Sequence, residues 1–294
     1  MNEDFFPVVD EYDQAIIMHC NAHFSGSFSS MLEYYEKEGK GAMPEFELSR
    51  IWALSSLEEE QPSTLDLMLS PAEIEEVAKA RSLYEKLRSI YEENERPSPV
   101  MRAFADLVLS EEEEPEREID ALVHLGKDAV EPLIALILSE DFYKPLFPGY
   151  GYAPAAAALA LGKIGDDRAV LPLFQAMGKE DFFTEAAIVD ALGMLGEPAR
   201  TFLLGRLRHQ PVTRENSHAA IALSSFKEHP DVIACSLELL EKTALDPRSI
   251  ALSTYLVINC AHTRDPEQRK RIDELAKNPS FPTELKEELR LLRS

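Results

Sequence analysis

Three cysteines, one tryptophan and twelve glycines among 294 residues leave this chain poor in the residue types that most often carry chemistry. Cys20, Cys235 and Cys260 are odd in number, far apart and never in CxxC spacing. That spacing excludes a disulfide framework or a zinc ribbon and points to reduced thiols in a reducing, cytoplasmic compartment. Positive charge is scarce as well: 30 Lys and Arg face 53 Asp and Glu, a formal net charge of −23. Such a surface repels phosphate, which argues against nucleic-acid binding and against docking on anionic membranes. Long apolar runs are missing. The longest uncharged stretch, residues 145–162, contains Pro145, Pro148, Pro154, Gly149 and Gly151, so it reads as a loop entering a helix rather than a membrane span. The opening MNEDFFPVVDEYD has no basic segment followed by an apolar one, and no signal peptide is expected. There is no GxSxG, no phosphate-cradling glycine loop and no GxGxxG after a strand.

What is present is helix. Hydrophobic residues make up 45% of the chain, enough for a core. Acid is concentrated at the front: residues 1–115 hold 26 acidic and 9 basic side chains, and residues 116–294 hold 27 and 21. Helices are expected over 10–24, 27–38 and 45–59, with breaks at Lys40-Gly41 and Gln61-Pro62. The clearest helix starts at Ser70, a good N-cap, with Pro71 in the first helical position and acids in the first turn. A shorter helix over 100–109 leads to the acidic run Glu111–Glu114, which marks the expected boundary between an acidic helical domain, 1–110, and a second domain, 116–294. Trp52, beside Ile51, Leu48 and Leu54, is expected in the core.

The second domain repeats. REIDALVHLGKDAVEPLIALI, APAAAALALGKIGDDRAVLPLFQAM and EAAIVDALGMLGEPARTFLLGRL are each an apolar helix, a glycine-containing break and another apolar helix. The breaks align Gly126, Gly165 and Gly196, with Lys227 and Ala261 as weaker continuations, at steps of 39, 31, 31 and 34 residues. Two-helix units at this period build an all-α, right-handed solenoid in which each pair buries its faces against the next. Glycine suits a left-handed residue at a helix end, and Asp128 or Asp167 would cap the following helix. Pro132 and Pro172 fall near the end of that helix's first turn, where a missing N–H costs least.

The phrase ALALGKIGDDRAVLPLFQAM resembles the short HEAT-like repeats of phycobilin lyases, a small-residue helix followed by LGxIGD and AVxxLxxAL. The resemblance covers about residues 116–275. It implies a scaffold architecture and is nearly silent on activity. The iron-dependent hydroxylase of the wider class carries paired His-Glu dipeptides, and no His here is followed by Glu. The HEAT-like DNA glycosylases need a basic concave face, which this composition opposes.

These features favour a non-catalytic scaffold that needs no cofactor and binds a protein partner, with the acidic front favouring a basic one. The alternative is a carrier or lyase-like enzyme for a flat hydrophobic ligand; the oligomeric state stays open. The binding face is expected on the second helices of the pairs, lining the concave side, with Arg168, Gln175, Arg200, Arg206 and Arg208 toward solvent. The long 39-residue step contains the insertion KPLFPGYGY, whose Phe147, Tyr150 and Tyr152 can serve either as a contact loop or as a plug between imperfect repeats. His19 and His23, at i and i+4 with Cys20 adjacent, form a weak candidate for a metal site.

Overall fold

The computed structural model describes residues 9–38, 43–62, 64–92, 98–179, 182–244, 246, 249–261 and 263–291. The expected break at Lys40-Gly41 lies outside the described residues. Among those described, every regular element is helical and none is a strand. The α-helices among the described residues are α1 (Glu11–His23), α2 (Phe28–Glu38), α3 (Leu48–Glu60), α4 (Pro71–Glu92), α5 (Pro99–Val108), α6 (Glu116–Leu125), α7 (Val130–Leu138), α8 (Ala153–Ile164), α9 (Val170–Ala176), α10 (Phe182–Leu195), α11 (Glu197–Leu207), α12 (Arg214–Ala222), α13 (Pro230–Thr243), α14 (Ile250–Cys260), α15 (Pro266–Lys277) and α16 (Thr283–Leu291). None is long and apolar enough to cross a membrane.

Local chemistry starts these helices where the sequence suggests. The Asp10 carboxylate accepts from the Asp13 N–H at 2.9 Å and caps α1. At α4 the Ser70 hydroxyl accepts from the Glu73 N–H (3.3 Å), and the Glu73 carboxylate accepts from the Ser70 N–H (2.6 Å), a reciprocal capping box. Ser98 caps α5 and Asp265 caps α15, each just ahead of a proline in the first turn.

The chain divides into two compact units. The first comprises residues 1–122 together with 139–154; the second comprises 123–138 together with 155–294. The fold therefore divides after Leu122, not at the acidic run 111–114, and the insertion belongs to the N-terminal unit. In that unit α1 packs on α3 and α4, α2 on α3, and α4 on α5. Ile16, Ile17, Cys20, Met31, Ile51 and Leu65 are almost wholly buried between them. Trp52 is not in this core; it is 61% exposed. Ile51 and Leu54 take the inward positions on α3, and Trp52 lies roughly 100° round the helix from Ile51.

The second unit is a stack of helix pairs, as expected. Its second helices α7, α9, α11, α13 and α15 pack in series, and so do the first helices α10, α12, α14 and α16. The helix α8 joins the first-helix row at Gly162, where an added Cβ would come within 2.7 Å of the Ala191 Cα on α10; only glycine permits that approach. Gly126, Gly165 and Gly196 have φ of +61°, +73° and +69°, with open space where a Cβ would stand. Backbone conformation rather than crowding therefore selects glycine at the break. The weaker continuations Lys227 and Ala261 turn with ordinary right-handed φ of −58° and −60° and need no glycine. In the second pair the cap is Asp166 rather than Asp167: its carboxylate accepts from the Arg168 N–H at 3.1 Å. Asp128 lies inside a 3-10 turn, Gly126–Ala129, that makes no side-chain cap.

Between α11 and α12 the fully buried Asn216 does the joining. Its amide nitrogen donates to the carbonyls of Arg206, Leu207 and His209 at 3.0–3.2 Å, and its oxygen accepts from the Thr213 N–H at 2.7 Å. One side chain thus satisfies the orphan carbonyls at the end of one helix and the start of the next.

Candidate functional site

The aromatic insertion closes inward. Phe147 is fully buried with Ala22, Val77 and Ala80, and Leu146, Met18 and Leu83 pack around this cluster. The small residues on α1 and α4 leave the room that the ring fills. Ion pairs hold the loop at its rim: Lys144 to Glu76 at 2.5 Å and Lys79 to Asp141 at 2.8 Å. The ammonium groups of both lysines lie within 6 Å of the Phe147 ring centre, at 5.5 and 5.9 Å. Tyr150, only 7% exposed, adopts φ +49° between two glycines and sets its ring 5.2 Å from His23 and 6.0 Å from His19. Tyr152 is half-buried. In place of a contact loop, Phe147 and Tyr150 form a plug in the N-terminal unit, because their apolar area finds a seam lined by alanines.

His19 and His23 stack on successive turns of α1, ring centres 4.5 Å apart. The His23 Nε2–H donates to the Leu146 carbonyl at 2.8 Å, fastening α1 to the insertion. His19 is 2% exposed, and its Nε2 lies 3.3 Å from the Tyr35 hydroxyl, which accepts from the Met43 N–H. The Nδ1 atoms of both rings are buried without a hydrogen-bond partner. Burial holds His19 well below the usual imidazole range, and the neighbouring His23 adds to the effect. Burial also pushes His23 down to about 4, against the hydrogen bond to Leu146 and with help from Arg88. Cys20, one residue past His19, turns away into the Met31 and Ile51 cluster, and burial pushes its thiol up to about 12. The candidate triplet His19, Cys20 and His23 does not converge. Among the described residues no group of three or more His, Cys, Asp or Glu side chains is placed to hold a metal.

The second-helix row of the other unit presents a different surface. Leu138 on α7 and Leu171 on α9 are 40% and 44% exposed, and Gln175 stands exposed one turn after Leu171. The arginines expected to face solvent here largely join the repeats to each other. Arg168 pairs with Asp166 at 2.9 Å and reaches back to Glu131 on α7 at 3.0 Å. The Arg200 side chain is only 16% exposed and bridges Glu197 and Asp231. Arg206 pairs with Glu215 at 3.2 Å, its guanidinium 5.1 Å from the Phe202 ring centre and 5.9 Å from that of Phe174. Arg208 is exposed. Residues 150–224 match the family of HEAT repeats.

Over that span the chain is similar to HEAT repeats. The matched span runs from the end of the insertion through α12 and takes in the two pairs with left-handed break glycines at 165 and 196. No curated protein and no solved structure is significantly similar to the chain. Leu171 is the surface residue that the sequence reading passed over. It lies in an apolar helix whose other leucine, Leu173, is buried, so its residue type carries no signal and only the stacking of the helices leaves it outside.

Proposed function

We propose that the protein is a non-catalytic scaffold that binds a protein partner along the second-helix row α7, α9, α11. The observation that carries this reading is that Leu138 and Leu171 are exposed on successive second helices, with Gln175 exposed one turn after Leu171. An apolar strip on a repeating helical surface suits an extended peptide or a helix. Arg168 and Arg206 are tied to Glu131 and Glu215, so their charges are less available to a partner than the exposed apolar residues are. The three cysteines are free and buried, which fits a reducing, cytoplasmic setting. The phycobilin-lyase flavour of the repeat brings in the rival role of pigment carrier. That role is supported less well: a cavity of about 830 Å³ in the repeat unit is lined by charged groups including Glu228, Arg264, Asp265 and Arg269, poor company for a flat hydrophobic ligand.

The test is affinity capture on the full chain carrying Leu171→Asp and Gln175→Lys, beside a control with Met194→Asp on the first helix α10. Loss of a stoichiometric partner in the double variant and its retention in the control support the assignment. Equal capture by all three proteins removes the second-helix face from consideration.

A further inference from the structure

The N-terminal unit has an apolar groove of its own. Between α1 and α3 a cleft of about 310 Å³ is floored by Val9, Ala53, Leu54 and Leu57 and rimmed by Asp13, Arg50 and Glu60. Trp52, the one tryptophan of the chain, stands beside it, 61% exposed, one turn before Ser56 of the groove wall. Leu48, 43% exposed, lies one turn before Trp52 on the same helix. Ile51 and Leu54 take the inward positions of α3, and an indole and a leucine exposed on the same helix beside an apolar cleft make an anchor of the kind that concentrates binding energy at protein interfaces.

Charge decides the occupant. Residues 9–60 contain 11 acidic and 3 basic side chains. The one basic group in the groove, Arg50, is already bound at 2.7 Å to both Asp10 and Asp13. Glu45, Glu47, Glu59 and Glu60 are exposed at the two ends of α3. A second copy of this chain is a poor fit, since it carries the same net charge of −23, and in its basic run 269–271 the Arg271 guanidinium is already paired with Glu241 at 2.7 Å. We infer that the α1–α3 groove and Trp52 dock a basic amphipathic helix of a partner protein, its apolar face on Trp52, Ala53 and Leu57 and its cations over the flanking glutamates.

This surface is separate from the second-helix face, so the two assignments fail independently. The probe is a short Lys/Leu amphipathic peptide added to the full chain, with Trp52 emission as the readout. A saturable blue shift is expected, weakening as salt rises from about 50 mM to about 500 mM and screens the charges. A matched peptide with Glu in place of Lys should give no shift. With a labelled peptide and anisotropy, Trp52→Ala should cost about tenfold in affinity, and Leu57→Asp should do the same while leaving Trp52 in place. Unchanged affinity in both variants would show that the peptide merely coats an acidic surface, and the inference falls. It falls equally if emission shifts on concentrating the protein alone, because a second copy then fills the groove.

Discussion

Acid should loosen the N-terminal unit well before its carboxylates titrate, and His23 shows by how much. In the folded protein its ring is neutral, donates to the Leu146 carbonyl and is pushed down to about 4, whereas in the unfolded chain it titrates near the ordinary value of 6.5. Below pH 6.5 the unfolded state therefore takes up a proton that the folded state refuses, so stability is full above that pH and drains away as the pH falls toward 4. The slope approaches about 1.4 kcal/mol per pH unit for one such group, which makes the loss from pH 7 to pH 5 about 2 kcal/mol. His19, buried deeper, works in the same direction. Urea melts followed by Trp52 emission, which reports on this unit alone, should show the midpoint falling between pH 7 and pH 5. Replacing His23 with Gln keeps a neutral donor toward Leu146 and should remove its share of the slope. A midpoint that stays flat over this range, or an identical slope in the variant, would refute the picture of a neutral buried imidazole.

Phe147→Ala should empty the plug and destabilise the N-terminal unit by about 3–5 kcal/mol, read as a lower urea midpoint; a change under about 1 kcal/mol would mean the ring is not buried as described. Gly162→Val should drive α8 away from Ala191 and lower the melting temperature of the repeat unit, while Gly205→Ala, with open space around it, should be neutral or slightly stabilising in the same calorimetric scan. Asn216→Ala removes the amide that joins the two helices, leaves the buried Leu207 carbonyl without that donor, and should cost about 1–3 kcal/mol in chemical denaturation.

The repeat was legible because its signal is redundant. Glycines 126, 165 and 196 recur at the break, apolar residues recur at helical spacing, and the structure gives all three glycines the left-handed conformation that the break requires. The caps were less legible: Asp166 caps in place of Asp167, because neighbouring aspartates offer the same chemistry and backbone geometry alone selects between them, and Asp128 lies inside a 3-10 turn and caps nothing. The N-terminal unit was harder to read. Its helices were found, but nothing periodic ties Phe147 to Ala22 and Ala80, more than sixty residues away in the chain, so the insertion could be located and not its burial. Trp52 illustrates the same limit. Its neighbours Ile51 and Leu54 are core residues, and only the phase of the helix against α1 puts the largest side chain of the segment outside. On the second-helix face the arginines are expected toward solvent, whereas Arg168, Arg200 and Arg206 pair with Glu131, Asp231 and Glu215, partners that lie in other helices and are found only once the stack is built.

The measurement that bears most directly on the scaffold assignment is the comparison of full-length protein, the Leu171→Asp, Gln175→Lys double variant and the Met194→Asp control in quantitative affinity capture. The account predicts a stoichiometric partner on the parent and the control and its loss from the double variant, with all three chains folded by circular dichroism. A partner retained by the folded double variant would contradict it.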